Sequence, residues 1–194
     1  MKQILVVTGI ILLAAILRFY HLGTNPPSLD WDEASLAYNA YSIIRNGTDE
    51  YGNAFPLLSI RSFNDYKPPM YVYALVPTLL LFGKTDFAVR LPSALAGTLT
   101  VLFTYLLVKE LFSGKENRQL AILAALLLAI SPWHLQFSRI AFEANLGLFF
   151  FVAGIFFLIK SFSKPMFLPV SAATFGLAIF SYHSLRLIIP LLVL

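Results

Sequence analysis

Three carboxylates fall within four positions in the stretch SLDWDEASLAYNAY, residues 28–41: Asp30, Asp32 and Glu33. A second stretch, FNDYKPPMYVY at 63–73, carries Lys67 directly before a Pro-Pro pair, with Asp65 two residues earlier. A positioned carboxylate can take the proton of a reacting hydroxyl. An ammonium can stabilise a phosphate as it leaves. Two further stretches offer the same chemistry. SPWHLQFSRIAFEANLG, 131–147, spaces Arg139 and Glu143 four apart, on one face if the segment is helical. SYHSLR, 181–186, carries His183 and Arg186.

Each group also has a plainer structural role. Asp30 or Asp32 can cap a helix that opens after the Pro-Pro turn at 26–27, and Glu33 would then sit in the favourable first turn. Lys67 can snorkel towards lipid headgroups. Arg139 and Glu143 can form a surface ion pair. A lone His183 can be interfacial. Capping accounts well for one or two carboxylates. It accounts less well for three beside a bilayer, where unpaired charge is expensive.

A bilayer follows from composition. The chain of 194 residues is 58% hydrophobic and 12% charged, against about 45–50% and about 25% in a soluble domain. Its 18 Phe and 9 Tyr suit lipid-facing helices and interfacial belts. The net charge of +4 is dispersed and gives no footprint for nucleic acid. No cysteine is present, which excludes disulfides and thiolate metal sites. The apolar start, Lys2 to Leu17, is followed by Arg18, Phe19, Tyr20 and His21 with no small-x-small cleavage site. It reads as a first membrane span with Arg18 snorkelling at its far end.

Apolar stretches long enough to cross the hydrocarbon lie at about 3–20, 88–109, 119–134, 145–160 and 165–182, and another begins near 187. The segment 70–83 is apolar but short and holds Pro77. If it does not cross, the short loops 109–118 and 160–164, with Lys109, Lys115, Arg118, Lys160 and Lys164, are cytoplasmic, as the positive-inside rule asks. The loop from about 21 to 87 is then extracytoplasmic, with interfacial helices at 33–44 and 70–83. Leu36, Ala37, Ala40, Tyr41 and Ile44 make the apolar stripe of the first. That loop holds Asp30, Asp32, Glu33, Asp49, Glu50, Asp65 and Asp86, and the next outer loop adds Glu143; only Glu110 and Glu116 lie inside. No internal repeat or low-complexity segment is evident. Asn46 opens an N-glycosylation sequon.

WDEA soon after the first span, DYKPP closing the long outer loop, AVRLPSAL opening the next span, and SPWHLQFSRIAFEANL resemble the bacterial GT-C glycosyltransferases. These are relatives of protein O-mannosyltransferases and of the lipid A aminoarabinose transferase. The resemblance covers essentially the whole chain. It implies an all-α integral membrane fold, a multi-span helical bundle with interfacial helices in a long first extracytoplasmic loop. It implies a polyprenyl-phosphate-linked sugar donor and transfer on the outer face to a protein, lipid or glycan acceptor. By this resemblance Asp32 matches the family's first-loop Asp and Glu33 the acid after it. Lys67 matches the lysine near the donor phosphate, with Arg139 as a possible second cation. Glu143 stands where relatives often have Asp. Some relatives carry an acid directly before the lysine; here that position is Tyr66, with Asp65 one earlier.

The expected reaction is an inverting transfer with an Asp base. Asp30, Asp65, Glu143 and His183 are supporting residues on the acceptor or metal side. A divalent metal ion held by oxygen ligands is the one cofactor this chemistry admits. Two other readings stand beside it: a transporter or flippase for a lipid-linked sugar, and a non-catalytic membrane assembly protein. A transporter places polar groups near the bilayer midplane, whereas the acids here gather at one edge. The chain stops inside an apolar run, IIPLLVL, so it reads as the N-terminal portion of a longer enzyme that is inactive alone.

Overall fold

A computed structural model describes residues 2–112 and 117–193; Lys115 and Glu116 of the expected inner loop lie outside them. The structure is 74% helical with almost no sheet. In order it forms α1 (Lys2–Phe19), α2 (Trp31–Asn46), β1 (Ile60–Ser62), β2 (Asp65–Lys67), α3 (Met70–Phe82), α4 (Asp86–Leu111), α5 (Asn117–Ile130), α6 (Pro132–Ser138), α7 (Glu143–Ser163), a 3-10 turn (Pro165–Phe167), α8 (Leu168–Ile179) and α9 (Leu185–Val193).

Two described helices, α4 and α7, are long and apolar enough to cross a membrane. The expected span at 119–134 does not run straight. α5 and α6 meet at a 59° bend, and the pair counts as one broken span at most. The cause is local: Pro132 has no N–H to continue the ladder, so Ser131 turns extended and a new helix starts. The expected span at 165–182 ends at Ile179 and, like α1, belongs to the shorter apolar helices.

Side-chain hydrogen bonds gather one set of helix ends. Arg139, just past α6, donates to the carbonyls of Leu17 (2.8 Å) and Arg18 (3.3 Å) at the end of α1. Ser93 in the second turn of α4 donates to the Phe137 carbonyl of α6, and Asn145 at the start of α7 donates to the Ser93 carbonyl. The Met70 N–H of α3 reaches the Phe180 carbonyl past α8. The end of α1, the starts of α3, α4 and α7, and the end of α8 therefore stand together. At the far end Gln3 of α1 donates to the Tyr105 hydroxyl of α4. Gly97 permits the close crossing of α4 and α6, because a Cβ there would collide with the Ser138 hydroxyl.

Arg18 does not snorkel. It is fully buried and donates to the carbonyls of Ala14, Ala129 and Leu128, with His134 Nδ1 at 2.7 Å from its Nη2. The last carbonyls of α5 have no helical partner, and the donor-rich guanidinium satisfies them. Arg139 and Glu143 do not share a helix face either. α6 ends at Ser138 and α7 begins at Glu143, so the four-residue spacing crosses a break.

The segment between α1 and α4 packs on this end of the bundle. α2 buries Leu36, Ala40 and Ile43, in a cluster with Tyr71, Val72, Leu75 and Leu79 of α3 and Ala88 and Val89 of α4. Gly47 ends α2 in the left-handed conformation. β1 and β2 pair antiparallel, with Ile60 opposite Lys67 and Ser62 opposite Asp65. This hairpin was not expected from the sequence. Its turn residues, Phe63 and Asn64, both have positive φ, 49° and 65°. Asn favours that region, whereas a bulky Phe occupies it under strain. α3 has 13 residues, about 20 Å of helix. Both of its ends meet the first turn of α4: the Tyr71 hydroxyl donates to the Val89 carbonyl, and the Phe82 ring packs on Phe87.

Candidate active site

Asp30 is the cap of α2. Its Oδ1 accepts from the Glu33 N–H (2.8 Å), and Glu33 Oε2 accepts in return from the Asp30 N–H (3.2 Å). The reciprocal pair is a capping box, which the Asp-x-x-Glu spacing permits. Glu33 is buried and does more than this. Arg90 of α4 grips it with two bonds, Nε to Oε1 (3.0 Å) and Nη2 to Oε2 (3.1 Å), and the Ala141 N–H before α7 donates to Oε1 (2.8 Å). Arg90 spends its other donors on the carbonyls of Leu22, Pro26 and Ser28. One carboxylate thus ties α2, α4 and the entry to α7, and both of its oxygens are engaged.

Asp32 faces another way. It makes no cap, and its side chain stays 43% exposed while Lys67 Nζ lies 2.5 Å from its Oδ1. The Lys67 side chain is only 8% exposed. The burial of Pro68 and Pro69 after it fixes the strand exit, so β2 delivers the ammonium beside the α2 N-terminus. Burial disfavours the Lys67 ammonium, but the Asp32 hydrogen bond and the charges of Glu143, Asp32 and Asp65 outweigh it and raise the pKa above the ordinary lysine value. Trp31, Asp32 and strained Phe63 line an open cleft on the Asp32 side of this pair.

The other expected residues fall into two groups. Glu143, at the start of α7, and Asp65, in β2, are near enough for their charges to act on Lys67, and the buried Glu143 Oε1 has no hydrogen-bond partner. His183 bonds the Tyr66 carbonyl through Nε2 (2.7 Å), next to Lys67, and Arg186 donates to the Leu58 carbonyl. These contacts dock the α8–α9 connection on the hairpin and the start of α9 on the segment before it. Arg139 is not drawn to Lys67; its donors hold the carbonyls of Leu17, Arg18 and Asn25. Among the described residues no group of three or more His, Asp and Glu could hold a metal ion.

Sequence reasoning missed Arg90 as a site residue. The signal was present: an arginine at the third position of the apolar stretch 88–109 needs a buried partner. Which partner could not be read, because Glu33 lies 57 positions away.

The fold and this site define an apolar helical bundle with a carboxylate–ammonium centre at one set of helix ends. The family described as dolichyl-phosphate-mannose-protein mannosyltransferase matches residues 66–194, and the chain belongs to this family of GT-C glycosyltransferases. The matched region includes Lys67, Arg90, Arg139, Glu143 and His183, whereas Asp30, Asp32 and Glu33 precede it. The chain is also similar to a protein of Bacillus subtilis (strain 168) named "Putative mannosyltransferase YkcB", 28% identical over 157 residues. The similarity covers 73% of this chain and 21% of that protein, so the chain spans about a fifth of the relative it matches. No solved structure matches it.

Proposed function

We propose that the protein takes part in transferring a sugar, mannose being the first candidate, from a polyprenyl-phosphate-linked donor to an acceptor hydroxyl at the extracytoplasmic face, with inversion. The observation that carries this reading is the ion pair between Asp32 and Lys67, brought together from 35 residues apart at the rim of a membrane bundle. The donor phosphate binds the Lys67 ammonium and displaces the Asp32 carboxylate from it. Asp32 is then free to accept a proton. The acceptor oxygen attacks the sugar C1 from the side opposite the phosphate, its proton passes to Asp32, and the C1–O bond breaks with its electron pair staying on the lipid phosphate beside Lys67. One displacement of this kind inverts C1.

Glu33 serves as a positioning residue, because both its oxygens are committed to Arg90, Ala141 and the cap. Glu143, with its unpartnered Oε1, lies on the acceptor side. The lysines and arginine of the opposite helix ends, Lys109, Arg118, Lys160 and Lys164, support a cytoplasmic assignment for that face. α3, held at both ends by the first turn of α4, supports an element that dips into the outer leaflet without crossing.

The test is transfer of label from radiolabelled mannosyl polyprenyl phosphate to acceptors in membranes that contain the complete gene product. The wild type should transfer label, and Asp32→Asn membranes should not. Equal transfer by the two overturns the assignment.

A further inference from the structure

A second polar site shares no lining residue with the cleft at Asp32. His134 of α6 is 7% exposed and Asn145 of α7 is 2% exposed. Both side chains line one groove with Leu128, Ser131, Phe137 and Leu148. His134 Nδ1 lies against Arg18 Nη2, and a guanidinium can only donate, so Nδ1 accepts and the ring proton sits on Nε2. Asn145 spends its amide donors on the Ser93 carbonyl and hydroxyl. Of the residues lining the groove, two keep a buried atom without a partner, a donor at His134 Nε2 and an acceptor at Asn145 Oδ1.

The groove continues as an open furrow between α4, α5 and α7. A neighbouring cavity shares Leu128, Ser131 and Leu148 with it and runs on past Thr100, Thr104 and Val152. Asn145 to Val152 is about 10 Å along α7. Trp133, 77% exposed, stands at the mouth, as an aromatic does at headgroup depth. One apolar channel suits one chain. One donor and one acceptor at its head suit a neutral group that does both. A hydroxyl accepts from Nε2–H and donates to Oδ1; a phosphate would set its oxygens against the Asn145 oxygen. Behind His134 the Arg18 guanidinium donates to the carbonyls of Ala14, Leu128 and Ala129, and its unpartnered Nε belongs to a residue outside the groove lining.

We propose that this groove binds a single-chain long alcohol, with its hydroxyl between His134 and Asn145 and its chain along the channel towards Thr104 and Val152. The site is separate from the Lys67 centre, and the proposal does not depend on the transferase reading.

The test is photolabelling of the protein in lipid nanodiscs with a diazirine derivative of hexadecanol, with labelled peptides mapped by mass spectrometry. Label should saturate within 128–152, and unlabelled hexadecanol should compete. Hexadecane leaves both polar atoms unmatched, so it should compete roughly tenfold more weakly or worse. Hexadecyl phosphate should also be weaker. Equal competition by hexadecane, stronger competition by hexadecyl phosphate or by dioleoylglycerol, or labelling that does not saturate would each overturn the proposal. His134→Phe strips Arg18 of a partner and risks the fold. Leu148→Trp instead fills the channel without touching either bond. It should suppress labelling at an unchanged melting temperature, and wild-type labelling of that variant would place the alcohol elsewhere.

Discussion

Glu33 and Arg90 form a doubly bonded ion pair that solvent does not reach, between residues 57 positions apart. Breaking a buried pair from one side leaves an uncompensated charge, which costs about 3–5 kcal/mol. Glu33→Gln and Arg90→Ala should therefore each lower the melting temperature of the protein in detergent markedly. Arg90→Lys should not rescue it, since one ammonium cannot reproduce two parallel bonds and three carbonyl contacts. A thermal scan showing Arg90→Ala as stable as wild type would remove the pair from its structural role.

Asp30 and Asp32, two residues apart, should respond oppositely to the same change. Asn caps a helix about as well as Asp, so Asp30→Asn should leave stability and activity near wild type. Asp32→Asn removes the proposed base and should lower kcat by about 10²–10⁴-fold with folding intact. Transfer assays on both variants, side by side, check this. A silent Asp32→Asn would hand the base role to Glu143.

Lys67→Ala should act on the donor. Loss of the ammonium should raise KM for the lipid-phosphate sugar and slow leaving-group departure. The Lys67 pKa is raised, so the charge, and any stability it lends, is fully present below the ordinary value of 10.5 and is lost only as pH climbs through the higher folded value. Donor binding by the wild type should therefore be flat between about pH 7 and 9 as far as this group is concerned. Lys67→His should bind donor progressively less as pH rises past about 6.5. A wild-type decline matching that of the His variant would contradict a charged Lys67.

Orientation can be read with single cysteines, because the chain has none. Ala54→Cys, exposed in the segment before the hairpin, should react with an impermeant maleimide in intact cells. Ser163→Cys, exposed at the end of α7, should react only after permeabilisation. The reverse pattern would place the Asp32–Lys67 pair on the cytoplasmic side.

Much of this was legible without coordinates. Hydropathy located the apolar helices, because the length needed to bury backbone in lipid is a property of the local chain. The cap after Pro-Pro is likewise a local event. So is the amphipathic stripe of α2, although the structure puts Ile43 in the core while Ile44 packs only at its margin. The residues Asp32 and Lys67 could be singled out by type and by the motifs around them.

The partners of the charges belonged to the tertiary structure. Arg18 read as a surface residue and is buried, Arg139 pairs with carbonyls 114 to 122 positions away instead of Glu143, and Glu33 finds Arg90. The short hairpin that carries Lys67 to Asp32 left no clear pattern either, since three-residue strands have too little periodicity to read. In each case the residue type announced a need for donors or acceptors. Which helix ends supply them depends on how the bundle closes, because a buried polar group bonds whatever unsatisfied backbone or side chain packing brings within reach.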